Sequence, residues 1–298
     1  MEVGGWRTGV EVGKGVPEYK SIKKVGVLYR PGSPQSGHLV EEITRQLEAW
    51  EIRPWVASVQ EKREELGARL DELDLIITLG GDGTILRAAR MAASHRVPIL
   101  GINLGRLGFL AELEPEDWRE GLEQVMEGNF WLEERMMLRV ELWRGGKVLS
   151  SCDALNEAVI GRGSPPRMVH LATYIDGHYL TTYVADGVIV ATATGSTAYA
   201  LAAGGPILSP EMKDILLIPL APHLNLDRAL ILPPTVTVRV EATAGDRAEL
   251  SVDGQALASL EENDCAQTRA SPHSCLFART REPAYFFLTL MDRLRRGY

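Results

Sequence analysis

A chain of 298 residues, 45% hydrophobic and 24% charged, has the composition of a globular protein with one large domain or two ordinary ones. Its net charge of −8 argues against general binding to nucleic acid or to an anionic membrane surface, while leaving room for a local basic pocket for phosphates. Cys152, Cys265 and Cys275 form no C-x-x-C pair, which excludes zinc-ribbon and thioredoxin readings and fits a reducing cytoplasm.

Residues 1–21 read as a flexible leader, interrupted throughout by Gly, Glu and Lys and so without a signal-peptide core. No later segment reaches the ~18 apolar residues of a membrane span. Val25 to Tyr29 is a short apolar run that stops at Pro31. Leu39, Ile43, Leu47 and Trp50 then recur at helical spacing. Leu73 to Leu79 is a second apolar run, ended by Gly80-Gly81; Thr84 to Ala93 has a helical composition, and Val97 to Ile102 makes a third strand. Alternation of strand and helix predicts a parallel sheet with helices on its faces and a ligand beyond the carboxyl ends of the strands.

From about Met136 the pattern turns to β. Leu138, Val140 and Leu142 alternate with Arg139, Glu141 and Trp143, and Arg144 to Lys147 makes a turn. Asp176-Gly177 reads as a hairpin turn. Val236, Val238 and Val240 form another period-two run, turned back at Ala244-Gly245-Asp246 toward Leu250 and Val252. Ala284 to Leu294 has a helical pattern. The boundaries that follow are an α/β domain over 22–130 and a β-rich domain over 131–282, with a helical segment over 283–298.

The sharpest motif is Gly80-Gly81-Asp82-Gly83-Thr84, between an apolar strand and a helix. Glycines there allow close backbone approach to a ligand, and the helix start offers free N–H groups to phosphate. Asp82 is an acceptor able to face a hydroxyl; the plainer alternative is a strand–helix turn with Asp82 as a cap. The chain has no G-x-x-x-x-G-K-[ST], which excludes a P-loop, and no G-x-G-x-x-G after a strand, which argues against a dehydrogenase.

A second motif runs through Thr194, Gly195, Ser196, Thr197, Ala198 and Tyr199 to Gly204-Gly205-Pro206. It reads equally as a base-stacking, phosphate-bonding loop or as a polar turn with Tyr199 in the core. Asn156-Glu157 suits ribose hydroxyls or an adenine edge, or a solvated loop pair. Asp186-Gly187 is another ribose contact or a turn. His223 is isolated and reads as structural. No H-E-x-x-H or clustered His/Cys set is present, so no structural metal is expected.

Together these residues resemble the NAD kinase family from about Val25 to Leu294. The resemblance rests on the 80–84 pentapeptide, Gly101-Ile102-Asn103, Leu107-Gly108-Phe109-Leu110, Asn156-Glu157, Asp186-Gly187, Thr194 to Tyr199, Pro222-His223 and Asp253-Gly254-Gln255. It implies a Rossmann-like α/β domain, a β-rich, sandwich-like C-terminal domain, and a last helix returning to the first domain. It also implies phosphoryl transfer from ATP or polyphosphate to the 2′-hydroxyl of the adenosine ribose of NAD, with Mg²⁺ or another divalent cation on the donor.

The resemblance implies Asp82 as the catalytic base. It implies substrate contacts at Asp82, Gly83, Arg87, Asn156, Glu157, Arg167, Asp186, Thr194 to Tyr199 and Gln255. It further implies a cytoplasmic homodimer or homotetramer with no nucleic-acid or membrane partner. Ala193, Ala202, Ala229 and Val184 depart from the family's usual residues, and Val184 leaves one contact without its Arg. A lipid or sugar kinase sharing the aspartate turn, or a dinucleotide-binding protein without turnover, are the competing readings. Neither explains the 194–199 loop and Asp82 together.

Overall fold

Four segments become parallel strands. β1 (Val25–Tyr29), β2 (Trp55–Ser58), β3 (Leu75–Leu79) and β4 (Ile99–Ile102) lie side by side in the order β2-β1-β3-β4. Three of them, β1, β3 and β4, are covered on both faces. Every residue of β3 and β4 is buried, which is why their sequences show no polar alternation. The computed structural model describes residues 22–296 apart from 33, 62–66, 68, 106–107, 164–166, 224–225, 244–246 and 263. The expected leader, the turn at Ala244-Gly245-Asp246, and the motif residue Leu107 lie outside the described residues.

Helix α1 (Pro34–Ala49) places Leu39, Ile43 and Leu47 against Val25, Val27, Leu75 and Ile77, together with Trp118, Leu122 and Val125 of α3 (Trp118–Met126). Helix α2 (Asp82–Ala92) covers the opposite face, with Ile85, Ala88 and Ala89 on Leu28, Ile76 and Ile99. Consecutive strand residues thus serve opposite layers, as the two-residue period requires. β2 and α3 have no counterpart among the predicted elements. β2 is a four-residue edge strand and α3 spans only nine residues, too short for a strong periodic signal.

The β-rich part is a sandwich whose two sheets share one core. The first sheet continues from β4 through β16 (Cys265–Arg279) to β13 (Val238–Ala242), β8 (Val169–Ile175) and β9 (His178–Ala185). β5 (Trp131–Arg144) pairs with β16 and with β6 (Lys147–Ala154). The second sheet has the order β12 (Leu230–Leu232), β11 (Ile215–Leu220), β10 (Gly187–Ala191), β7 (Glu157–Arg162), β14 (Ala248–Val252), β15 (Gln255–Leu260). Leu138, Val140, Leu171 and Val238 of the first meet Ile160, Val188, Val190 and Leu250 of the second.

The long strand β16 is the hinge of the architecture. Phe277 pairs in parallel with Ile99 of β4, while the antiparallel ladder to β5 runs the length of the strand. One sheet therefore crosses from the α/β part into the sandwich. The predicted hairpin turn holds: Asp176 and Gly177 both have positive φ, 50° and 79°, the type I′ conformation that matches strand twist. Helix α5 (Tyr285–Arg296) returns to the first part, where Phe286 packs on Phe109 and Arg281 pairs with Asp117.

Candidate active site

The aspartate turn closes β3 onto α2. A Cβ at Gly80 would lie 2.2 Å from Thr84 Oγ1, so only glycine lets the chain fold back over that side chain. Gly81 takes the cap position and accepts a hydrogen bond from the Thr84 N–H at 2.8 Å. Asp82 is the first helical residue, one past the cap position. Instead its carboxylate turns across to the segment after β4. Oδ2 accepts from the Phe109 N–H at 2.9 Å and Oδ1 from the Leu110 N–H at 3.2 Å. Gly108 makes this approach possible, since a Cβ there would stand 2.2 Å from Oδ1.

Beyond the carboxyl ends of the strands, a cleft of about 260 Å³ is lined by Arg30, Val59, Gln60, Gly83, Thr84, Arg87, Asp253, Gly254 and Gln255. A Cβ at Gly81 or Gly83 would meet nothing within 4 Å, so the turn is bare on its open side. The opposite wall is the tight turn Asp253-Gly254, with φ of 47° and 73°. Arg90 of α2 donates to Gln255 Oε1 at 3.0 Å and ties the two walls together.

Asp253 holds the Asn156-Glu157 loop from 97 residues away in the chain. Its Oδ1 accepts from the Asn156 N–H at 2.8 Å and the Glu157 N–H at 3.2 Å, and Oδ2 from the Leu155 N–H at 3.0 Å. Gly195 presses on the same loop, and a Cβ there would reach Asn156 O at 2.2 Å. The pair is therefore buried rather than solvated, Asn156 at 9% and Glu157 at 6% exposure. Asn156 Oδ1 and Glu157 Oε2 find no hydrogen-bond partner in the protein. Burial first, then the Asp253 carboxylate, push the Glu157 carboxyl up to about 8; the Tyr199 backbone N–H works against them. Burial also raises Asp253, and its three backbone bonds only partly offset that.

The residues Thr194–Thr197 form a 3₁₀ turn, followed by the single helical turn α4 (Tyr199–Ala202). Their hydroxyls are largely spent on the fold. Ser196 Oγ donates to Ala193 O at 2.6 Å and accepts from the Leu208 N–H at 3.0 Å. Thr197 Oγ1 donates to Thr194 O at 3.1 Å, and Thr194 Oγ1 accepts from Arg135 Nη1 at 3.1 Å. Tyr199 is 47% exposed, so it does not belong to the core. Asp186 pairs with Arg162 at 2.9 Å. Arg167 is exposed, and no described contact joins it to the cleft. The His223 N–H donates to Val184 O at 2.8 Å.

Behind the aspartate lies a buried ion cluster that periodicity did not indicate. Arg279 Nε donates to Glu133 Oε2 at 2.8 Å, and its Nη1 donates to Glu112 Oε2 at 3.1 Å and to Leu110 O at 2.9 Å. Arg135 Nη2 donates to Glu133 Oε2 at 2.9 Å. Glu112 also accepts from the Thr280 and Arg281 N–H groups, each at 2.9 Å. The two neighbouring guanidiniums hold Glu133 below the usual carboxylate range although burial opposes them. Such pairs need every lone pair and proton satisfied before they repay desolvation. Arg90 and this cluster are the site residues that sequence reasoning missed. Asp253, Gly108, Phe109 and Leu110 stood in the quoted motifs but were given no role there.

Residues 31–130 match the family model of the ATP-NAD kinase N-terminal domain, and residues 155–280 match that of the ATP-NAD kinase C-terminal domain. The chain is 45% identical over 276 residues to an NAD kinase of Chloroflexus aggregans, covering 93% of this chain and 100% of that protein. It is 38% identical to an NAD kinase of Dehalococcoides mccartyi over 92% of this chain and 96% of that one. Its fold resembles yeast NADH kinase complexed with NADH, with a TM-score of 0.82, 28% identity, and coverage of 93% and 88% of the two chains. It also resembles an NAD kinase from Archaeoglobus fulgidus in complex with ATP, with a TM-score of 0.71, 29% identity, and coverage of 92% and 99%. The chain belongs to the NAD kinase family.

Proposed function

We infer that the protein transfers the terminal phosphoryl group of ATP to the 2′-hydroxyl of the adenosine ribose of NAD, giving NADP. The observation that carries this reading is the pair of buried acceptors, Asn156 Oδ1 and Glu157 Oε2, left without donors beside Asp253 and the Tyr199 N–H. Buried polar atoms are seldom left unpaired. Ribose hydroxyls and an adenine amino group supply the missing donors, and the exposed Tyr199 ring offers a stacking face. Polyphosphate is the alternative donor of the same chemistry.

Asp82 acts as the base. Two of its roughly four lone-pair sites are taken by the Phe109 and Leu110 N–H groups, and the remainder can accept the 2′-OH proton. The donor phosphates lie along Gly83, Thr84 and Arg87, at the start of α2, where backbone N–H groups and the helix dipole favour negative charge. Gln255, Asp186 and Arg167 complete the proposed nucleotide contacts, Arg167 with the least structural support.

The described residues gather no set of three His, Cys, Asp or Glu side chains. Of the carboxylates at the cleft, Asp253 is engaged by three backbone N–H groups, and a divalent cation would be carried in on the donor phosphates. When bound, the cation neutralises charge developing on those phosphates. Asp82 is the residue that would touch it.

The same reading divides the chain into an α/β domain over 22–130, completed by 283–298, and a β-rich domain over 131–282, with β16 carrying one sheet across both. It includes a homodimer or homotetramer formed through the β-rich half. The free, buried state of Cys152, Cys265 and Cys275 supports a cytoplasmic setting, and no described helix is long and apolar enough to cross a membrane.

The test is NADP formation from NAD, ATP and Mg²⁺, read with an NADP-specific dehydrogenase. Asp82→Asn is expected to lower kcat by about 10²–10⁴-fold with the fold intact. Undiminished turnover in that variant would remove Asp82 from its role.

A further inference from the structure

We propose that Arg293, on the C-terminal helix, is a positioning residue for the phosphoryl transfer: it holds the Asp82 carboxylate through the single peptide group that joins Gly108 to Phe109. This rests on the reading of Asp82 as the base. Arg293 Nη1 donates to the Gly108 carbonyl at 2.6 Å. The N–H of that same peptide group, on Phe109, donates to Asp82 Oδ2 at 2.9 Å. Guanidinium, peptide and carboxylate thus form one head-to-tail chain of hydrogen bonds. Each bond in such a chain polarises the next, and both ends carry a full charge.

The guanidinium is itself fixed. Arg293 is 6% exposed. Its Nε donates to Thr289 Oγ1 at 2.9 Å, one helical turn earlier, and the guanidinium lies 5.8 Å from the Phe109 ring centroid and 5.7 Å from that of Tyr285. Tyr285, Thr289 and Arg293 recur every four residues, so one stripe of α5 builds the whole support. Arg279 donates to Leu110 O from the other side at 2.9 Å, so both ends of the 108–110 segment are clamped by arginine.

The charges explain why an arginine tolerates this place. Glu112 and Glu133 are already engaged by Arg279 and Arg135. Arg293 is the third guanidinium of the group. Burial, then Arg279, weaken its hold on the proton, while Tyr285, Asp82 and Glu112 favour the cation. Removing Arg293 leaves the Asp82 carboxylate on a segment anchored at one end only.

The test compares wild type, Arg293→Met, Arg293→Lys, Asp82→Asn and the Asp82→Asn/Arg293→Met pair in the NADP-formation assay. Arg293→Met is expected to lower kcat about 30-fold, with KM for NAD within about threefold of wild type, because a misplaced reacting group costs turnover rather than binding. Arg293→Lys recovers part of the loss, since its ammonium still donates to the Gly108 carbonyl. In the pair, Arg293→Met causes no further loss beyond Asp82→Asn, the signature of two residues acting through one group.

A kcat for Arg293→Met within about twofold of wild type, or the same ~30-fold drop imposed on Asp82→Asn, overturns the proposal. Loss of turnover in Asp82→Asn with full turnover in Arg293→Met removes only the positioning role. Full turnover in Asp82→Asn removes both. Should Arg293→Met fail to fold, Arg293→Lys, alone and paired with Asp82→Asn, carries the same comparison.

Discussion

Replacing Gly108 by alanine tests the clasp around Asp82 with a single methyl group. The added Cβ would lie 2.2 Å from Asp82 Oδ1 and 2.5 Å from both Cγ and Oδ2. To reach even 3.0 Å, carboxylate and segment must part by about 0.8 Å. Gly108 is outside the left-handed region, so alanine brings no backbone penalty and the clash acts alone. The 2.9 and 3.2 Å bonds to Oδ2 and Oδ1 cannot both survive that separation. Hydrogen bonds to a charged group contribute ~1.5–3 kcal/mol each, and overpacking costs about 1–3 kcal/mol of stability. A reacting group displaced by roughly 1 Å loses ~10²-fold in rate. Steady-state NADP formation should therefore show kcat down about 100-fold with KM for NAD little changed. Gly37→Ala, in α1 and away from the cleft, is the control, because its Cβ meets nothing within 4 Å. A Gly108→Ala enzyme with wild-type kcat would refute the claim that this clasp sets the carboxylate.

Three further outcomes follow from the nucleotide side. Glu157, normally near 4.5 and pushed up to about 8, keeps a proton in the folded protein that the unfolded chain releases. That stability is complete below 4.5 and is lost as pH rises through 8. Glu157→Gln should flatten the fall in Tm between about pH 5 and 8.5, and parallel profiles for the two proteins would contradict the assignment. Asp253→Ala leaves three backbone N–H groups without an acceptor and should cost about 3 kcal/mol in urea unfolding, with KM for NAD raised; a change under about 0.5 kcal/mol would show the loop stands without it. Tyr199→Ala should shift stability by less than about 0.5 kcal/mol while raising KM for NAD about tenfold, and an unchanged KM would remove the ring from the base site.

Much of the site was legible because its chemistry is written in short segments. The turn at 80–84 stands between strand and helix as its glycines and position required, and Thr84 against Gly80 supplies the local reason. Other readings changed. Asp82 does not cap its helix; its carboxylate crosses to Phe109 and Leu110. The hydroxyls of Ser196 and Thr197 serve their own turn, and Asn156-Glu157 is buried rather than solvated. The changes at Asp82 and Asn156-Glu157 turn on partners distant in sequence, which no local pattern encodes.

By itself the sequence determined the α/β opening, the β-rich half that follows, the hairpin at Asp176-Gly177 and the aspartate turn. These depend on periodicity and on glycine's backbone freedom, both properties of neighbouring residues. Only the tertiary structure decided that β16 joins both halves in one sheet, that Asp253 holds the Asn156-Glu157 loop, and that guanidiniums from β16 and α5 clamp the segment beneath Asp82. A buried charge acquires its role from whichever opposite groups the fold brings within ~4 Å, and for Arg279 those groups, Glu133 and Glu112, lie 146 and 167 residues away in the chain.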